Sequence, residues 1–186
     1  MQLSEVRIFE RSKAFCQVNN IANVLTHSRS STVENVLRRL AHEGILSSII
    51  CSESRPLNEG VAMANALSRD IKTTIIVDAL ADSVMPQCDC VILGADAIDK
   101  QGNILNKIGS RLLALSAKDH GIPVICLAEA MKVHPQYSVS HLPRESHCAA
   151  ELGHTTNEKV QVLNQYFEVV ENTLLTETIS DLDLFH

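Results

Sequence analysis

The run VILGADAIDKQGNILNKIGS, Val91 to Ser110, decides how this chain is read. It begins as an apolar, β-branched stretch, breaks at Gly94, Ala95 and Asp96, crosses a polar turn and reaches Lys107 just before a second apolar run. A strand that ends in small residues and a lone carboxylate, with a helix predicted from about Lys107, is one strand-to-helix unit of a parallel sheet. Outward from it the same kind of run recurs: ANVLTHS from Ala22, LSSIICS from Leu46, TTIIVD from Thr73 and IPVICLA from Ile122. Each is nearly continuous rather than alternating, as strands buried on both faces require.

Helical segments fill the gaps. Ser31 with Glu34 three residues later reads as a capping box, and Val33, Val36, Leu37 and Leu40 form an apolar stripe that stops near Gly44. A second helix is predicted from about Glu59 to Arg69, and a short one over Ala81 to Cys88. The helix from Lys107 places Ile108, Leu112 and Leu115 on one face and ends at Gly121, with Pro123 behind it. Leu3 to Cys16 suits an amphipathic helix, HPQYSVSHLPRESH reads as loop with a short helix, and YFEVVENTLLTETISDLDLF as a closing strand followed by a polar segment. Strand and helix alternating in this way give an α/β fold, a doubly wound, mostly parallel sheet with helices on both faces.

The 186 residues suffice for one domain with a real core, and no repeat, low-complexity run or linker divides them. A formal net charge of -6 and the absence of Trp argue against a nucleic-acid surface, which needs clustered basic residues and stacking platforms. No run approaches the roughly 18 apolar residues of a membrane span, and the charged opening lacks a signal-peptide core, so the expected location is the cytoplasm. Of six cysteines, Cys51, Cys88, Cys90 and Cys126 sit in or beside strand-like runs, where a thiol packs as a small hydrophobe. Cys88 and Cys90 with His147 and Cys148 match no common zinc spacing, so no metal is expected.

The polar residues cluster by position. His27, Ser28 and Arg29 follow the first strand, Glu53 to Arg55 the second, Asp78 ends the third, Asp96 follows the fourth, and Glu129 and Lys132 the fifth. In a parallel sheet all of these lie on the carboxyl edge, where such sheets bind ligands. Arg29, Arg55, Lys107 and Lys132, together with helix N-termini near Ser31, Glu59 and Lys107, suit an anion, and a phosphorylated small molecule fits best. Neither a dinucleotide-binding glycine pattern nor a Walker A sequence is present, and no cofactor is implied. Asp96 has two readings: a desolvated general acid or base, or a structural group that caps the next turn or pairs with Lys107.

At these residues the chain resembles a known family. GADAIDKQGNILNKIGS, CSESRPLNEG and NVLTHSRSSTV look like segments shared by the alpha, beta and delta subunits of translation initiation factor 2B and by isomerases of methylthioribose-1-phosphate and ribose-1,5-bisphosphate. The likeness extends from about Ile21 onward, which divides the chain into a helical extension, residues 1–20, and a domain, residues 21–186. It implies a Rossmann-like core, a homodimer or hetero-oligomer with a related subunit, and a regulatory or binding role in translation initiation. In the isomerase branch the acid/base aspartate matches Asp96, the substrate-contacting pair matches Asn106 and Lys107, and the arginine of the second loop matches Arg55. Three departures weigh against turnover: Ser28 stands where the isomerases have a cysteine, Glu59 where they have a glutamine, and their N-terminal helical domain has no counterpart in the expected architecture.

Overall fold

The protein, seen in a computed structural model that describes residues 3–136, 138–139, 146–153, 157 and 159–183, is built on two sheets. The larger has six parallel strands. It contains β1 (Asn23–Thr26), β2 (Ser48–Ser52), β3 (Thr73–Ile76), β4 (Cys90–Leu93), β7 (Val124–Leu127) and β10 (Glu177–Ile179), in the spatial order β10-β7-β4-β1-β2-β3. The helices are α1 (Leu3–Val18), α2 (Ser31–His42), α3 (Glu59–Leu67), α4 (Ala81–Val84) and α5 (Ser110–Asp119).

Burial explains why the strand sequences are continuously apolar. Val24, Ile49, Cys90, Ile92, Ile125 and Leu127 face one side, in an apolar cluster with Ile8 and Phe9 of α1, Leu37 and Leu40 of α2 and Met63 and Leu67 of α3. Leu25, Val91, Leu93, Val124 and Cys126 face the other, with Met85 behind α4 and Leu113, Ala114 and Ala117 of α5. Fully burying a side chain such as Leu37 or Ile49 contributes about 1.5–3 kcal/mol, so both layers are needed to hold the sheet. Among the described residues, no helix is long and apolar enough to cross a membrane.

The chain after Asp96 differs from the expected turn. It forms a hairpin of β5 (Ala97–Asp99) and β6 (Ile104–Lys107), the centre of a second sheet completed by β8 (Val133–His134) and β9 (Phe167–Val170) in the order β8-β5-β6-β9. Lys107 therefore ends a strand, and the helix begins at Ser110. Its buried face also differs, because Leu113, Ala114 and Ala117 are buried while Leu112 is 71% and Leu115 38% exposed. Small alanines let α5 lie close to the sheet, whereas the pattern reading gave weight to the large leucines. The α2 cap is Ser30, not Ser31: Ser30 Oγ accepts from the Val33 amide, and Glu34 pairs with Arg29 at 3.2 Å instead of closing a capping box. The tail yields two strands rather than one, since Phe167–Val170 pairs antiparallel with β6 and Glu177–Ile179 adds a sixth parallel strand beside β7. Part of the stretch read as loop with a short helix, residues 137 and 140–145, lies outside the described residues.

The packing of α5 can be tested directly. Ala114→Leu should cost about 1–3 kcal/mol by overpacking, and Leu112→Ser should stay within about 0.5 kcal/mol. Urea midpoints in the opposite order would place the wrong face against the sheet.

Candidate functional site

β1 lies between β2 and β4, and the chain leaves β1 toward β2 but returns across it to β4. Strand order thus reverses between β1 and β4, where an open sheet leaves a crevice beyond its carboxyl ends. The two loops there nearly touch: a Cβ on Gly94 would stand 2.8 Å from Ser30 Cβ. A cavity of about 280 Å³ opens at this point. Ser28, Arg29, Ser30 and Ser31 line it from the β1 side and Gly94, Ala95 and Asp96 from the β4 side, while Asn106, Lys107 and Phe167 come from the second sheet. Glu59 and Lys132 complete the wall.

The structure therefore brings together Ser28, Arg29, Asp96, Asn106 and Lys107. Arg55 is not part of the wall: its guanidinium donates to the Leu152 carbonyl at 2.6 Å, and its amide is held by Asp78 Oδ2. The β2 and β3 loops act from behind. Asp78 Oδ1 accepts from the Ser54 amide, and Ser54 Oγ accepts from the Ser28 amide at 2.6 Å. That chain of bonds fixes Ser28 at φ 66, a left-handed conformation that a side chain does not adopt freely.

His27 cannot serve as an acid toward the cavity. Its Nε2 lies 2.7 Å from the Ile108 carbonyl, which can only accept, so Nε2 carries the hydrogen and Nδ1 accepts from Ser52 Oγ at 2.5 Å. Burial holds the imidazole below its ordinary range, against the opposing pull of the Ile108 bond and the Asp78 charge.

The structural readings of Asp96 do not hold. The turn is capped by Asp99, whose Oδ1 accepts from the Gln101 and Asn103 amides, and Lys107 pairs with Glu59 at 2.6 Å. Among the described residues the Asp96 carboxylate has no hydrogen bond or close ion pair. Its surface is open toward the cavity, yet the crowding protein atoms weaken its solvation and raise it above the usual carboxylate range, opposed by the charges of Lys132 and Lys107.

Lys107 is 3% exposed and also lies over the Tyr166 ring, 4.7 Å from its centroid. Tyr166 and Phe167 were not foreseen, because only the pairing of β9 with β6 carries them there and they lie some sixty residues away in the chain. Lys132 donates to the Ala95 carbonyl at 2.6 Å. Of the three expected helix N-termini, that of α2 opens on the cavity. That of α5 is occupied by Glu168, which accepts from the Gly109 and Arg111 amides.

A family model described as the initiation factor 2 subunit family matches residues 11–186. The ribose 1,5-bisphosphate isomerase of Methanocaldococcus jannaschii is 30% identical over 165 residues, 87% of this chain and 54% of that protein. The methylthioribose-1-phosphate isomerase of Syntrophotalea carbinolica is 32% identical over 178 residues, covering 86% of this chain and 52% of that one. This chain spans about half the length of these relatives. Among solved structures, the 5-methylthioribose 1-phosphate isomerase of Pyrococcus horikoshii superposes with a TM-score of 0.87 at 29% identity, covering 96% of this chain and 54% of that one. The translation initiation factor eIF-2B of the same organism gives 0.84 at 26% identity, with 98% and 64% covered.

The two titratable groups predict opposite responses to pH. The unfolded chain protonates His27 first, so its contribution to stability is complete above about pH 6.5 and is lost as pH falls through the folded value. The folded acid of Asp96 lies above the unfolded one, so its contribution is intact only below about pH 3.9 and is lost as pH rises through the folded value. Asp96→Asn should therefore raise the urea midpoint at pH 7. A lower midpoint would reveal a structural partner for this carboxylate.

Proposed function

Since the chain belongs to the initiation factor 2 subunit family, we propose that it binds a phosphorylated sugar or nucleotide in the cavity between the β1 and β4 loops, in a regulatory or binding role. The observation that carries this reading is the meeting of the α2 N-terminus and Arg29 with Asp96, Lys107 and Lys132 around one cavity. The free amides at the start of α2 and the Arg29 guanidinium suit the phosphate. Asn106 and Asp96 then face the rest of the molecule. The same reading includes a cytoplasmic location, a link to translation initiation, and assembly as a homodimer or hetero-oligomer with a related subunit. Exposed apolar side chains at Val77, Leu80 and Leu112 are consistent with such an assembly.

A second reading, isomerisation of a phosphorylated aldose to its ketose, is favoured by the unpaired, raised acid of Asp96 and by the names of the relatives. Such a reaction needs no oxidant. Hydrogen moves between neighbouring carbons of one sugar while a proton leaves one oxygen and returns to another, and Asp96 is placed to carry that proton. Ser28 weakens this reading, because a hydroxyl is a far poorer proton donor than a thiol.

Thermal shifts with ribose 5-phosphate, ribose 1,5-bisphosphate, methylthioribose 1-phosphate and AMP should show at least one ligand that stabilises the fold. The gain should be about 2.7 kcal/mol at 100 times its dissociation constant. Binding without turnover supports the binding role, and turnover abolished in Asp96→Asn supports the isomerase. No shift with any of the four sinks both.

A further inference from the structure

The cavity is not uniformly cationic, and its uneven charge bears on the ligand. Three cations line it, Arg29, Lys107 and Lys132, against two carboxylates, Glu59 and Asp96. Glu59 stands at the first position of α3 and turns into the cavity, where Oε1 lies 2.6 Å from the Lys107 ammonium. This ion pair cancels the charge of the most deeply buried cation. Among the described residues the second oxygen, Glu59 Oε2, is shielded from solvent and accepts no hydrogen bond. A shielded carboxylate oxygen without a donor is costly, and it keeps the negative charge of Glu59 poorly screened beside the cavity, which the side chain meets with the 31% of its surface that stays exposed. Among the described residues the other two cations pair with no carboxylate of the wall: Glu34 holds Arg29 from outside it, and Lys132 donates to the Ala95 carbonyl.

We propose that Glu59 sets the specificity of the site, placing a fixed negative charge beside Lys107 and restricting the ligand to a single phosphate, as in a sugar monophosphate. This inference rests on the phosphate-ester reading above and refines it. A second phosphate at the Lys107 end would meet the Glu59 carboxylate in a shielded setting, and juxtaposed like charges there are strongly unfavourable. Glutamine at the same position keeps an oxygen for Lys107, removes the negative charge and supplies an amide donor for a phosphate oxygen.

The test compares ribose 5-phosphate with ribose 1,5-bisphosphate by titration calorimetry on the wild-type chain and on Glu59→Gln. The wild type should prefer the monophosphate, and Glu59→Gln should shift the ratio of dissociation constants toward the bisphosphate by about tenfold or more, or 1.4 kcal/mol. A general loss of stability would weaken both ligands alike and leave that ratio in place. Equal ratios in the two proteins, or a wild type that prefers the bisphosphate, overturn the role of Glu59 while phosphate binding stands. The wild-type preference decides the question alone if the variant does not fold. Failure of both ligands to bind either protein overturns the phosphate-ester reading and this inference with it.

Discussion

The site depends on the contact between two loops that share no sequence motif. β1 and β4 are neighbours at the centre of the sheet, and their carboxyl ends must diverge because the chain continues in opposite directions from them. Gly94 lets the β4 loop pass against Ser30 at a distance that any side chain would prevent. Ser30 in turn caps α2, so the contact that closes the floor of the crevice also orients the helix whose amides face it. Above this floor Ser28 takes a left-handed backbone, held by Ser54, itself left-handed and fastened by Asp78. Strain of this kind persists only where surrounding bonds over-determine it. The β2 and β3 loops thus shape the site without lining it.

That division explains what the sequence could reveal. Continuous apolar runs mark strands enclosed on both faces, so β1, β2, β4 and β7 were legible; β3 was legible from the same kind of run although, at the sheet edge, it leaves Thr74 and Ile75 exposed, and the shared carboxyl edge followed from all five. Asp96, Lys107, Ser28 and Arg29 followed from that edge and from the resemblance. The sequence could not distinguish a loop residue that faces the crevice from one that braces it, so Arg55 was grouped with the others. The hairpin of β5 and β6 was hidden because its turn is set by Asp99 and its pairing by β9, far along the chain. The error over α5 has a related cause: alanine carries little hydrophobic signal, yet Ala114 and Ala117 let the helix approach the sheet, and Leu112 remains outside.

The second sheet brings a buried lysine to the site, and that creates a requirement of its own. An ammonium that is 3% exposed needs a partner, because the cost of removing a charge from water is recovered only through close opposite charge and hydrogen bonds. A ligand phosphate would meet the requirement only while bound. Glu59 meets it permanently, and the Tyr166 ring adds a polarised face on which the ammonium rests. The fold is thereby freed from dependence on its ligand, but the cation most deeply placed in the cavity becomes the one least available to an anion. In the phosphate-binding role proposed above, the phosphate would fall to Arg29, which Glu34 also holds, and to the α2 amides, where water screens the charge and geometry must supply the selectivity. Asp96 is in the converse situation: among the described residues it has no close partner, its side chain stays exposed toward the cavity while neighbouring atoms partly desolvate the ionised form, and an acid raised in this way can exchange a proton more readily than a paired carboxylate.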